Sequence, residues 1–192
     1  WGSPQKEDLN INDLANNAVI GTSADGKTIY LFNSIETRNK LAKGLAYISK
    51  DSLGKWGEIK KMTIPGFEVG DGYYAFYVTS DENTILVSAA LDTMAYEDIY
   101  VSEKIDGNWT PLKNLGSNVN TPSIETSPFI SEDKKTLYFS SAGHGGFGET
   151  DLFKSTRTGI GWDEWSKPIN LGNKINSPGF DAYLVVSSDE KR

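Results

Sequence analysis

The 192-residue chain has no cysteine and a single histidine, His144. The first absence excludes disulfide frameworks, thiolate metal sites and a cysteine nucleophile, and the second removes most histidine-based metal centres. Basic residues are also short, since 19 Lys and Arg face 26 Asp and Glu for a net charge of -7 and a pI near 4.8. Such a chain has no positive field to hold a phosphate backbone, so nucleic acid is not an expected partner. The longest apolar runs, at 73–78 and 182–186, fall far short of the roughly 20 residues that a membrane-spanning helix needs. No P-loop, EF-hand loop or zinc spacing occurs, and neither a metal nor a cofactor is expected. A basic-then-apolar leader is missing too, which a trimmed chain would have lost.

What the sequence does contain is a repeat. Aspartates 25, 81, 133 and 189 sit in similar segments, Ser23-Ala24-Asp25, Thr79-Ser80-Asp81-Glu82, Ser131-Glu132-Asp133 and Ser187-Ser188-Asp189, at spacings of 56, 52 and 56. Serines 49, 102 and 155 follow at spacings of 53, each ending an apolar run, and Trp56, Trp109 and Trp165 recur at 53 and 56. Three markers thus share one period of about 54, and a shared period of this size signals a repeat architecture. Within each period, short β-branched and aromatic runs alternate with polar or glycine-rich turns, without a helical stripe. The pattern predicts an all-β fold, a β-propeller of four-stranded antiparallel blades. Residues 1–16 read as a lead-in with one short helical stretch at 8–16. Blades are expected at about 17–65, 73–121 and 125–177, with the opening of a fourth at 181–192. Three and a half blades are fewer than the roughly 4 to 8 of closed rings, so the chain is expected to be a segment of a larger propeller.

The repeat Ser-x-Asp-x-Lys-Thr-Leu-Tyr-Phe of Ser131–Phe139, Asp151-Leu152-Phe153, and the tail Trp165-x-x-Pro168-x-x-Leu171-Gly172 resemble the TolB-like propeller repeat, also called the WD-like Pro-Asp repeat. The stretch 127–141, with Gly143-His144-Gly145-Gly146-Phe147-Gly148-Glu149-Thr150 after it, is similar to the version in Bacteroidota envelope proteins. There, such propellers often precede an OmpA-type peptidoglycan-binding domain. The resemblance covers about residues 17–192 and departs at the turn, where Ala24, Ser80, Glu132 and Ser188 replace the proline. It implies a periplasmic or outer-membrane-associated protein that meets envelope proteins, and meets peptidoglycan through neighbouring domains. It transfers no catalytic residue.

In a propeller the loop between strands two and three shares a face with the crossing into the next blade. That places 143–150, 118–125 and 174–181 together. The two crossings align in register, sharing Asn120 and Asn176, Pro122 and Pro178, and the terminal acids Glu125 and Asp181. Those carboxylates are expected near the channel mouth, either binding a cation or a sugar hydroxyl or accepting bonds from N–H groups of the neighbouring blade. Asp98 and Asp151 open third strands and are expected to close the preceding loop, while the aspartates at 25, 81, 133 and 189 are explained by their turns. His144 has the residue type of a general base but no nucleophile pattern beside it, and reads as an exposed loop residue. Gly143-x-Gly145-x-x-Gly148 precedes a strand rather than a helix, so it is no dinucleotide site. The periodic Trp residues read as blade packing, whereas Trp162, Trp1 and the Tyr73-Tyr74 pair are freer to stack on a ligand or partner. Glu149, exposed in the same loop as His144, completes the candidate binding set of Glu125, Asp181, His144, Glu149 and Trp162.

Three functions compete on these grounds. The first is a non-catalytic envelope scaffold for protein–protein contacts, belonging to a peptidoglycan-, secretion- or motility-associated protein. The second is a carbohydrate-binding or glycan-processing propeller that uses Glu125, Asp181, His144 and the non-periodic aromatics at the channel mouth. The third is the lid of a serine peptidase whose hydrolase domain lies elsewhere.

Overall fold

A computed structural model describes residues 3, 11, 18–32, 35–37, 40–42, 44–70, 72–91 and 96–187. The expected short helix falls almost wholly outside these residues, as do Trp1 and Asp189. Every regular element among the described residues is a strand. The chain divides into two compact units, Trp1–Thr63 and Ile64–Arg192.

The first unit holds one four-stranded antiparallel sheet in the order β1 (Ala18–Thr22), β2 (Thr28–Phe32), β5 (Leu45–Ser49), β6 (Lys60–Met62). A hairpin of β3 (Ile35–Thr37) and β4 (Lys40–Ala42) lies between β2 and β5 in sequence, an addition the repeat did not announce. The core of this unit is Leu31, Ala46 and Ile48, against which Ile11, Ile29, Trp56 and Ile59 pack.

The second unit contains two sheets. One runs β7 (Tyr74–Val78), β8 (Thr84–Ala89), β9 (Asp98–Ile105), then the short β10 (Asn108–Trp109) and β11 (Lys113–Asn114), both paired with β9. The other runs β12 (Glu125–Ile130), β13 (Thr136–Ser141), β14 (Asp151–Thr156), β15 (Ile169–Asn170). A shared core joins them: Leu86, Ile99, Val101, Leu115 and Val119 pack with Ile130, Leu137, Phe139, Phe153, Trp162 and Trp165. Tyr77 of β7 meets Phe129 of β12 edge-on at 4.9 Å between ring centres, a favoured aromatic arrangement.

The sequence markers have structural causes. In the turns, Ser23, Thr79 and Ser131 each donate a side-chain bond to the aspartate two residues on, at 2.8, 2.6 and 2.7 Å. The same aspartates accept the backbone N–H of Lys27, Asn83 and Lys135, which fixes the hairpin. The Trp residues mark a bulge common to all three sheets. Lys50 pairs with Trp56 and Ala46 with Lys61, Lys104 with Trp109 and Tyr100 with Asn114, Arg157 with Trp165 and Phe153 with Asn170. On each sheet, five steps on the outer strand therefore oppose four on its partner. In the second unit the buried serines close this bulge, Ser102 Oγ donating to the Thr110 carbonyl at 2.6 Å and Ser155 Oγ to that of Ser166 at 2.7 Å. Residues 181–187, where a fourth blade is expected to open, join no ladder among the described residues.

Candidate functional site: the crossings and the glycine-rich loop

Both crossings are built by one set of hydrogen bonds. Asn120 accepts the N–H of Ile99 at 2.8 Å and donates to that residue's carbonyl at 2.9 Å, so its side-chain amide pairs with β9 as a strand backbone would. Asn176 does the same to Leu152 at 2.8 and 3.1 Å. Each also donates to a second amide, Asn114 Oδ1 or Asn170 Oδ1, both at 2.9 Å. Those amides in turn donate to Asp98 at 2.9 Å and Asp151 at 2.7 Å. Asn114 and Asn170 further accept the N–H of Gly116 and Gly172, both at 2.8 Å. Gly116 (φ 84°) and Gly172 (φ 82°) occupy the left-handed region, which a residue with a Cβ adopts at a cost.

The acids then close their own crossings. Glu125 accepts Thr121 N and Thr121 Oγ1, both at 2.7 Å, and a third bond from Ser141 Oγ of β13 at 2.7 Å. Asp181 accepts Ser177 N at 2.6 Å and Ser177 Oγ at 3.0 Å. The donors expected from a neighbouring blade's backbone are thus replaced by the Thr or Ser four residues upstream. The reason is local: that residue's N–H and hydroxyl are already oriented when the crossing turns. Glu125 is 0 % exposed, and burial pushes its carboxyl above the ordinary value of 4.5, partly offset by the Ser141 and Thr121 bonds. A carboxylate saturated and enclosed in this way is not presented to a cation or a sugar.

The glycine-rich loop does join the crossings, as the topology led one to expect. A Cβ on Gly143 would collide with Thr121, and one on Gly148 with the carbonyls of Ser177 and Gly179, so glycine permits both approaches. Glu149 N donates to the Gly179 carbonyl at 3.1 Å, while the Glu149 side chain is exposed. Asp151 ties the loop from inside by accepting Phe147 N at 2.7 Å and Gly148 N at 3.0 Å, the loop-closing role expected of it. Asp98 is bonded by Asn114, and its burial raises its carboxyl above the usual value despite that bond.

Two site expectations are corrected. His144 is half-buried rather than a free loop residue: its Nε2 lies 2.9 Å from the Val119 carbonyl, and its ring packs against Phe153 and Phe139 at 5.4 and 5.8 Å. Trp162 is 5 % exposed and belongs to the shared core, with the Arg157 guanidinium 4.1 Å above its ring and its carbonyl accepting Trp165 Nε1 at 2.6 Å. It has no face left for a ligand. Of the Tyr pair, Tyr73 is exposed whereas the Tyr74 ring stacks on Phe76. Open to solvent here are Phe147, 52 % exposed, Phe180, 54 % exposed, and Glu149, together with Lys174 and Ile175 of the second crossing. Asn114 and Asn170 carry no sequence marker beyond the Leu-Gly that follows each of them. No group of three His, Cys, Asp or Glu capable of holding a metal occurs among the described residues.

No family model matches the chain, and no curated protein matches it. Among solved structures, the crystal structure of TolB from Acinetobacter baumannii is similar at 15 % identity and a TM-score of 0.46. That match covers 71 % of this chain and 29 % of the TolB chain.

Proposed function

We propose that the chain is part of a β-propeller that serves as a non-catalytic scaffold of the bacterial cell envelope and contacts protein partners through the face carrying 143–150 and 174–181. The observation that carries this reading is the identity of the two crossings. The Asn–Asn–Asp relay, the left-handed glycine and the acid that bonds back four residues recur from one sheet to the next. A device repeated after both sheets of the second unit is the expected joint of a ring assembled from four-stranded blades. The envelope placement, with its peptidoglycan-, secretion- or motility-associated setting, is supported by the resemblance of 127–153 to the Bacteroidota repeat.

Protein contact is supported by what the loop face offers. This face carries two exposed phenyl rings and an exposed carboxylate, whereas the titratable groups Glu125 and Asp151 are committed to loop closure. Aromatic anchors within a polar surround are typical of protein interfaces. The test is site-specific photo-crosslinking in envelope preparations, with a photoreactive phenylalanine at Phe147 and, for comparison, at exposed Glu132 on the hairpin turn. Discrete protein adducts from position 147 and none from 132 are expected. Adducts from neither position, or equally from both, would remove this face from consideration.

A further inference from the structure

Residues 181–187 stand 56 positions after the start of β12 and repeat its geometry. Glu125 N donates to the Glu97 carbonyl at 2.8 Å, and Asp181 N to that of Thr150 at 3.0 Å. The Glu125 carbonyl accepts Ser88 Oγ at 2.9 Å, and the Asp181 carbonyl accepts Ser140 Oγ. Two residues further on, Ser127 has φ 51° and Tyr183 has φ 62°. In β12 the left-handed residue is the bulge between Thr126 and Phe129 that sets the register with β13. An aromatic residue rarely adopts that conformation, and Tyr183 adopts it while 78 % exposed, in a segment that joins no ladder among the described residues. Val185 is exposed as well. Among the described residues the Asp181 carboxylate is bonded by Ser177 alone, where Glu125 has a third donor in Ser141 of the adjoining strand.

We propose that residues 181–186 are an acceptor strand, shaped in advance for antiparallel addition of an extended polypeptide segment of the β13 type. The β12–β13 pairs are Glu125 with Ser141, Thr126 with Ser140, Phe129 with Tyr138 and Ile130 with Leu137. Shifted by 56, they place a hydroxyl residue opposite Asp181 and another opposite Ala182, an aromatic residue opposite Val185 and an aliphatic one opposite Val186. The ladder gives affinity, and the hydroxyl that supplies Asp181 with its third bond gives register. The inference rests on the equivalence of β12 and 181–186, and it holds whether or not the loop face meets a partner.

The probe is a fluorescein-labelled peptide with the sequence of residues 134–143, KKTLYFSSAG, titrated with the full chain and followed by anisotropy. A peptide of the same composition in scrambled order is the control. Saturable binding of the first and none of the second is expected. Val185→Pro and Val186→Pro are tested singly, because adjacent amides of an antiparallel strand alternate in facing the partner. One of them is expected to weaken binding by about tenfold or more, and the segment's lack of ladder bonds leaves the unfolding midpoint of both unchanged. Replacing the serine that aligns opposite Asp181 by alanine in the peptide is expected to cost about tenfold. Hydrogen exchange locates the peptide. Slowed exchange at 182–186 supports the proposal, and slowed exchange confined to 125–130 overturns it, since the peptide would then be replacing β13. Equal binding of the scrambled peptide, no binding of either, or indifference to both proline variants overturns it too.

Discussion

At residues 114–125 an acid, two asparagines and a left-handed glycine join the β7–β11 sheet to the β12–β15 sheet, and at 170–181 the same set recurs with no sheet after it among the described residues. The hydrogen bonds hardly differ between the two places: the amide relays hold to within a few tenths of an ångström. The apolar environment differs throughout. Leu115 and Val119 are fully buried, whereas their equivalents Leu171 and Ile175 are half-buried and exposed. Gly116 lies against the Asp163 carbonyl, where an added Cβ would come within 3.0 Å, and Gly172 has open space. Asn118 donates to the Trp165 carbonyl at 2.6 Å, while Lys174 stands at the equivalent position. The crossing is therefore locked by its own side chains, and the neighbouring sheet supplies burial rather than the fold of the joint.

If that division is right, the same substitution should cost far more in the first crossing than in the second. Glu125→Ala strands three donors in a closed site and is expected to cost roughly 3 to 5 kcal/mol, against about 1 kcal/mol for Asp181→Ala, whose two donors can turn to water. Urea unfolding read by hydrogen exchange in β12 to β14 measures both, and equal losses would erase the distinction. Leu115→Ala is next in size. It leaves a cavity in the shared core and should cost roughly 2 to 4 kcal/mol, while Leu171→Ala should cost less than about 1 kcal/mol.

Acidity separates buried from exposed carboxylates within the same unit. Burial raises the folded-state value of Glu125 above its ordinary 4.5, so between these values the folded chain holds more protons than the unfolded one. Its contribution to stability is accordingly lost as pH rises through that window. The turn aspartates act in the opposite sense. Asp133 is lowered first by the Ser131 bond, and Asp81 is lowered because the Lys134, Thr79 and Asn83 bonds outweigh its partial burial. Their contribution is present above the ordinary carboxylate range and is lost as pH falls through their lowered values. In the first unit, the Ser23 and Lys27 bonds bring Asp25 to about 2. Urea midpoints recorded across the carboxylate range should show the Glu125 slope in the native chain and lose it in Glu125→Gln. A slope that survives this substitution assigns the transition to another group.

The repeat was legible because turn chemistry writes itself into short spacings: Ser or Thr, then Asp two residues on, is both the sequence marker and the hydrogen bond. The serines at 102 and 155 were legible for the same reason, each bonding a carbonyl across a single bulge. The asparagine relay was not, because Asn120 and Ile99 lie 21 residues apart and Asn176 and Leu152 lie 24 apart. Nothing local in the sequence tells such an amide from a loop asparagine. Trp162 was read outward because it lacks the period, yet its burial comes from Arg157 and Trp165 across one turn. His144 was read outward because glycines flank it. Those glycines reflect a loop pressed onto the crossing, and that pressure is what draws the imidazole in.

The smallest effect compares the turns themselves. Gly26, Glu82 and Lys134 occupy one position in three copies, with φ of 67°, 61° and 57°. Only the first is the residue for which that conformation carries no side-chain penalty. Lys134 also reaches Asp81 at 2.7 Å, so its removal would mix two effects. Glu82→Gly relieves the left-handed strain but gives the unfolded chain more freedom. It is expected to stabilise the second unit by about 0.5 kcal/mol. Gly26→Ala should destabilise the first by about 1 kcal/mol, the strain outweighing the lost freedom of the unfolded chain. Shifts in the urea midpoint measure both. A Glu82→Gly variant less stable than the native chain would mean that the glutamate side chain, rather than the backbone, sets the energy of this turn.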